Sequence, residues 1–340
     1  MGHYKRVLEV VSELLKISES YQLYIACQSW QKSKIQISEC DRIHYLEDLM
    51  EPGICYKSFN DNFFFEKQYL CWEQSIVSLN EFQNADLVIS DNLCGVLAHH
   101  DNVILMGSFL WMDLLENDKR YQKSALDFVI RENKLLSKYR PKMLCVGDIV
   151  MPTVVEKTSA IKLPWFSESV CLNRKPSSYN GDRLSIAVIL GRTGVMDFWL
   201  SKLIPVLKSR GIHILLPIPY NKIHNVDAFN FLDEEYQGVD FVICRPGIGV
   251  LTDCIKNRTP FLSVVEPNNI EMEHNANTMA NILKTGSFTL NADVNEICDF
   301  VESLYKDQIK LRDIENRLLA RKLGGSESAA NYISNSLLNN

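Results

Sequence analysis

A continuous apolar run, Val239 to Cys244, ends at Arg245-Pro246-Gly247-Ile248-Gly249, passes into a helical pattern to Asn257 and is followed by a second apolar run, Phe261 to Val265. That order reads as a β-turn-α-β unit with a glycine turn. The chemistry such a unit offers is anion binding. Glycines at 247 and 249 would let the backbone take positive φ and come close to a ligand. The helix that follows would point unpaired N–H groups and its positive dipole end at the same spot, which suits a phosphate. Asp253 is expected in or near the first helical turn, where the dipole favours a carboxylate that could also accept hydrogen bonds from sugar hydroxyls. A tight turn with an acidic helix start is the structural alternative.

A second turn of the same kind, Gly191-Arg192-Thr193-Gly194, follows the apolar run Leu184 to Leu190 and opens another helical pattern. Arg192 could meet a diphosphate, with Thr193 and the backbone N–H groups hydrogen-bonding it. Ordinary βα turns with an exposed arginine are the alternative. The stretch Asn268 to Asn277 begins the helix after the second apolar run, and Glu273, His274 and Asn275 cluster at its start. They would lie beside the same site, or serve as helix caps. No D-x-D occurs and no His, Asp or Glu cluster has ligand spacing, so no metal and no other cofactor is expected.

The elements that must position these groups alternate between strand and helix. Met1-Gly2-His3 leads straight into a helix pattern with Val7, Leu8, Val11, Leu14 and Leu15 on one face. Strands are expected at Tyr21 to Cys27, with short candidates at Ile35 to Ile37 and Ile43 to Leu46, and an aromatic-rich stretch from Phe59 continues as a helix to about Phe82. The strand Ala85 to Ser90 ends in Asp91-Asn92, and Val103 to Met106 ends in Gly107-Ser108. Polar groups at the carboxyl ends of buried strands are where open α/β sheets bind ligands. A helix from about Asn117 to Tyr139 and a strand Met143 to Val146 follow. Periodicity then fades over 151–182, which contains Pro152, Pro164 and Pro176, and the alternation restarts with a strand Ile212 to Ile218 and a helix around Val226 to Tyr236. The pattern divides the chain into an α/β domain over 1–150, a connection over 151–182, a second α/β domain over 183–325 and a C-terminal helix over 326–340, with a cleft between the two domains.

At 340 residues, 46% hydrophobic and 23% charged, the chain is an ordinary globular protein of two-domain size. A formal net charge of -6 argues against nucleic acid as a partner. Ten cysteines without a C-x-x-C pair point to reduced thiols in the cytoplasm, and no apolar segment has spanning length, while peripheral contact with a membrane stays open.

RPGIGVLTD after a strand, Pro260, the EHNA at Glu273 to Ala276 and the N-terminal Gly2-His3-Tyr4-Lys5-Arg6 together resemble glycosyltransferases with two Rossmann-like domains, the GT-B type. The pattern is that of the peptidoglycan N-acetylglucosaminyltransferase family and of the related nucleotide-sugar hydrolase of pseudaminic acid synthesis. The resemblance covers the second domain and the ends of the first. It implies a metal-independent transfer of a sugar from a nucleoside diphosphate sugar, expected to be a UDP-sugar, to an unidentified acceptor hydroxyl. By position, Asp253 would hold ribose hydroxyls, Gly247, Gly249 and Thr252 would line the diphosphate, and Glu273, His274 and Asn275 would face the donor sugar. His3 falls where relatives place the histidine that takes a proton from the acceptor, a task suited to imidazole. Asp91 could orient and charge-stabilise it. Arg192 or Arg245, with the helix N-termini, would meet the charge of the leaving group.

Members of that family have a strand and a glycine-rich turn ahead of the G-H pair, whereas this chain opens at the pair itself. Either those lie upstream or the first domain lacks its central strand. Competing readings are a hydrolase of the same fold, a non-catalytic nucleotide-sugar binder, and a dinucleotide oxidoreductase using Gly247-x-Gly249 with Glu266, although the third glycine of that fingerprint is Thr252 here.

Overall fold

The computed structural model describes residues 2–37, 41–47, 49, 66–121, 123–167, 183–191 and 194–338. They form two compact units: one holds the described residues up to Ser167 and those from Gly324 onward, the other those from Arg183 to Leu323. Among the described residues, no helix is long and apolar enough to cross a membrane.

The second unit is one parallel sheet built from β7 (Ser185–Ile189), β8 (His213–Pro217), β9 (Asp227–Phe229), β10 (Phe241–Cys244), β11 (Phe261–Val265) and β12 (Ser287–Thr289), numbered after six strands of the first unit. The spatial order is β12-β11-β10-β7-β8-β9. β7, β10 and β11 are buried along their whole length, which is why they read as unbroken apolar runs. The chain moves outward from β7 through β8 to β9, then returns to the other side of β7 as β10 and moves outward again. The direction of winding therefore reverses between β7 and β10, the switch point outside which open α/β sheets bind ligands.

The first unit contains a two-stranded parallel pair, β1 (Leu23–Ala26) and β2 (Ile43–Leu46), and a four-stranded parallel sheet, β3 (Val88–Asp91), β4 (Val103–Met106), β5 (Lys142–Val146) and β6 (Ser159–Leu163), in that order. The helix Gly2–Ile17 buries Tyr4, Leu8 and Val11, spaced for one helical face, against Ile25, Cys27 and Ile43. The helix Gly325–Leu338 returns to this unit and packs on Gly2–Ile17, with Tyr21 and Ser334 hydroxyls 2.7 Å apart. Its entry is tied down by Gly324 N–H donating to Ser167 O at 2.8 Å and Gly325 N–H donating to Trp165 O at 2.9 Å.

Several elements differ from the pattern reading. The connection expected over 151–182 contains a helix, Pro152–Lys157, and β6, a strand with mixed polar and apolar residues that pairs with β5; residues 168–182 lie outside the described residues. The helix expected around Val226 to Tyr236 is β9 followed by a short helix, Asp233–Gly238, because Asp227 to Phe229 ladders onto β8. The long helix expected from Asn117 is two helices, Trp111–Asn117 and Leu126–Tyr139. Between them Asp118 accepts hydrogen bonds from the backbone and guanidinium of Arg120, a local closure that competes with helix continuation. Ile35 to Ile37 is irregular, and β12 carried no signal strong enough to predict it. Phe59 to Phe65, expected to lead into a helix, lie outside the described residues.

A buried polar cluster joins the helices Glu66–Val77 and Leu126–Tyr139. Glu73 Oε1 faces His99 Nε2 at 2.7 Å and accepts a hydrogen bond from Arg131, while Tyr69 donates a long 3.5 Å bond to Glu132. Burial, with the neighbouring Glu73 charge, pushes the Glu132 carboxyl up to about 7 from its ordinary 4.5. A carboxyl whose folded value is raised favours the fold while protonated, and that contribution is lost as pH rises through the folded value.

Two outcomes follow from this packing. Glu132→Gln will flatten the pH dependence of unfolding between 4.5 and 7, removing a loss that could reach about 3 kcal/mol at one pKa unit per 1.36 kcal/mol; urea melts of both proteins across that range check it. A Cβ on Gly325 would lie 2.3 Å from the Pro164 carbonyl oxygen. Gly325→Ala will therefore lower stability by roughly 2 kcal/mol through overpacking, read as a drop in the melting temperature.

Candidate functional site

The carboxyl ends of β7 and β10 lie side by side. Arg245 N–H donates to Ile189 O at 3.0 Å, carrying the ladder past the end of both strands. Gly191 follows with φ 79°, a left-handed conformation that requires glycine, and a Cβ there would stand 4.0 Å from Arg245 Cδ. The two glycine turns are thus neighbours. Each opens a helix: Gly194–Ser209 after β7 and Ile248–Lys256 after β10. Arg192 and Thr193 lie outside the described residues.

Gly247 is the N-cap of Ile248–Lys256, with φ -71° and ψ 146° and no side-chain cap. Its backbone is one that any residue adopts, and Gly249 lies inside the helix, so neither glycine supplies the positive φ expected of it. What Gly247 supplies is room. A Cβ built there meets no atom of the described residues within 4 Å. Among the described residues, neither conformation nor packing explains the glycine.

The polar residues around this turn divide into braces and exposed groups. Arg245 Nε donates to both oxygens of Glu266, at 2.8 and 3.1 Å, and Asn269 Nδ2 donates to Glu266 Oε1 at 3.0 Å. Glu266 is thereby committed to protein partners, which removes the acidic residue that a dinucleotide reading needs. Asn275, buried, donates to Pro246 O at 3.0 Å and so clamps the turn from the helix Ile270–Leu283. Thr252 donates to Ile248 O at 2.7 Å within its own helix. The helix starts at Ile248, which places Asp253 just past its first turn, half-buried and 3.4 Å from the Tyr236 hydroxyl. On the helix Ile270–Leu283, Glu273 accepts from Asn268 N–H at 3.2 Å, and His274 is half-buried.

In the first unit, the helix Gly2–Ile17 brings His3 to the carboxyl end of β3. His3 Nδ1 lies 2.9 Å from Asp91 Oδ1, and Arg6 Nη2 donates to the same oxygen at 2.6 Å. Arg6 Nη2 is 3.4 Å from His3 Nδ1. The shorter contact shows that the guanidinium N–H points at the carboxylate. Nδ1 must then carry the proton shared with Asp91, which in a neutral imidazole leaves the lone pair at Nε2. The His3 side chain is 45% exposed and Arg6 only 5%. Phe109 meets the imidazole edge to face at 6.0 Å, and Phe166 lies 5.7 Å from the Arg6 guanidinium. Burial alone would raise the Asp91 carboxyl; the charges and hydrogen bonds of Arg6 and His3 outweigh it and hold the group below the usual carboxylate value. Arg6 closes the Gly2-to-Arg6 motif that the sequence shows without a role for it, and its three-residue spacing from His3 on one helix puts the two on one face.

A serine-histidine-aspartate chain also occurs in the second unit, with Ser185 Oγ and His213 Nδ1 3.0 Å apart and His213 Nε2 2.7 Å from Asp227. It lies at the amino ends of β7, β8 and β9, and Ser185 is fully buried, so it ties strands together and reaches no substrate. Among the described residues no group of three or more His, Cys, Asp or Glu side chains is placed to hold a metal ion.

No protein-family model matches the chain, and no curated protein is similar to it in sequence. Solved structures are similar over almost its whole length. LpCGTa in complex with UDP aligns with a TM-score of 0.67 at 14% identity, covering 100% of this chain and 97% of its own. MurG of Acinetobacter baumannii aligns with a TM-score of 0.60 at 12% identity over 98% of this chain and 96% of its own. The calicheamicin glycosyltransferase CalG4 gives 0.59 at 13% identity over 98% and 94%. At these identities the likeness is one of fold, and it agrees with the two parallel α/β units described above: the chain has the GT-B glycosyltransferase fold, with two Rossmann-like domains.

Proposed function

We propose that the protein transfers a sugar from a nucleoside diphosphate sugar, a UDP-sugar, to an acceptor hydroxyl without a metal ion, with the second unit holding the donor. The observation that carries this reading is the uncapped helix start at Gly247, where a side chain would meet no atom of the described residues. Two helix N-termini flank the switch point of the sheet, and one of them is left uncapped behind a glycine that the fold itself does not need. Oriented amides of this kind bind phosphate. The UDP complexes among the fold neighbours support the choice of ligand class.

In this reading the diphosphate takes the N–H groups of the turns at Gly191–Gly194 and Gly247–Gly249, assisted by Arg192. Asp253 serves the ribose, and Glu273 and His274 serve the donor sugar. Asn275, Thr252 and Arg245 act by holding the turn in place. His3 Nε2 takes the proton of the acceptor hydroxyl as its oxygen bonds to the anomeric carbon. The bond from that carbon to the diphosphate breaks in the same displacement and inverts the centre. The electron pair leaves with the diphosphate, whose charge the helix dipoles stabilise. The imidazolium so formed lies beside the Asp91 carboxylate.

Gly247→Val tests the donor site with little cost to the fold, because its side chain enters open space. The variant should melt with the wild-type protein yet bind UDP more weakly by calorimetry, by about tenfold or more, or about 1.4 kcal/mol. Equal UDP affinity in the variant would remove the ligand from this turn. A wild-type protein that binds no member of a nucleotide-sugar panel would sink the reading. Donor turnover without any acceptor would reassign the same site to hydrolysis.

A further inference from the structure

We propose that Arg6 is a positioning residue for His3: by donating to the same Asp91 oxygen, it holds Asp91 as a carboxylate and leaves the imidazole singly protonated, with its Nε2 lone pair available. The proposal rests on the reading of His3 as the base, but its first consequence concerns only the proton count of a buried cluster.

Three groups meet at one atom. Asp91 Oδ1 faces Arg6 Nη2 at 2.6 Å and His3 Nδ1 at 2.9 Å. With Arg6 positive, Asp91 negative and the imidazole neutral, the cluster carries no net charge, so it can be buried without taking up a further proton. Without the guanidinium, a buried carboxylate would face only an imidazole. Such a site recovers neutrality by binding one proton more, held by the pair as imidazolium with carboxylate or as neutral ring with carboxylic acid. In the first of these forms Nε2 already carries a proton and accepts none from a substrate.

Arg6 is placed for this task and for little else. It is 5% exposed, donates to Asp91 from one terminal nitrogen, and sits over the Phe166 ring at 5.7 Å, which fixes the direction of its guanidinium. Its position three residues after His3 brings it to the same face of the helix Gly2–Ile17. The side chain is nearly buried and its terminal nitrogen is on Asp91, so its effect on the chemistry passes through Asp91.

The test is the 15N spectrum of the His3 ring in the full-length protein, free of ligand, at neutral pH, for wild type, Arg6→Met and Arg6→Lys. Wild type should show one protonated nitrogen, Nδ1, and one bare nitrogen, Nε2. Arg6→Met should show a ring protonated at both nitrogens, or a neutral ring whose Asp91 partner carries the added proton by carboxyl 13C shift. Arg6→Lys, which keeps the charge, should restore the wild-type pattern. A wild-type pattern for both His3 and Asp91 in Arg6→Met would overturn the proposal. Should Arg6→Met fail to fold, Arg6→Lys decides: a doubly protonated ring there contradicts the charge argument, and a wild-type ring supports it. Once sugar transfer is measured, Arg6→Met should lower kcat at neutral pH on the order of a hundredfold while leaving KM for the donor unchanged. A wild type that transfers no sugar but shows the predicted ring states would remove the base assignment and leave the role of Arg6 on the pair intact.

Discussion

β10 pairs in parallel with β7 rather than continuing outward from β9, and the rest of the second unit depends on that ladder. Its register sets Cys244 beside Ile189, and the Arg245 amide extends it by one bond. Two turns separated by some fifty residues of chain are thereby placed side by side at the carboxyl end of the sheet, and both of the helices that follow start there. The driving force is the burial of strands that carry no polar residue facing either layer apart from Ser185. Apolar burial makes the sheet, and the reversal of winding makes the site.

Around that site the side chains mostly serve the backbone. Arg245, Glu266 and Asn269 form one hydrogen-bonded group, and Asn275 clamps the Pro246 carbonyl from another helix. A turn held in this way keeps its N–H groups oriented before any ligand arrives, and preorganised dipoles lose no energy to rearrangement when charge appears in front of them. The first unit follows the same plan with different groups. His3 is the exposed member of its cluster, and Arg6 and Asp91 behind it are nearly buried.

The apolar runs that became β7, β10 and β11 were legible in the sequence because fully buried strands carry no polar alternation to confuse them, and the glycine turns stood at their ends for the same reason. Local spacing also put Gly2-His3 at a helix start. What was not legible depends on partners far away in the chain. Arg245 gives its Nε to Glu266, 21 residues on, a partner that no local spacing reveals, whereas the expected pairing of His3 with Asp91 is present across 88 positions. β9 and β6 are short, mixed strands whose identity comes from the neighbour they pair with. Asp253 lies just past the first turn, because the helix starts at Ile248, and Gly247 is an N-cap in extended conformation rather than a residue of positive φ. A missing side chain can be interpreted only when its surroundings are known.

The central claim, that the paired turns of the second unit bind the diphosphate of a nucleotide sugar through their backbone, is tested most directly by amide chemical shifts during a titration with UDP. The account predicts saturable changes centred on Gly191, Gly194 and Gly247 to Gly249, with the first-turn amides of both helices moving most. Binding that leaves those amides unmoved, or shifts centred on the amino ends of the strands, would contradict it.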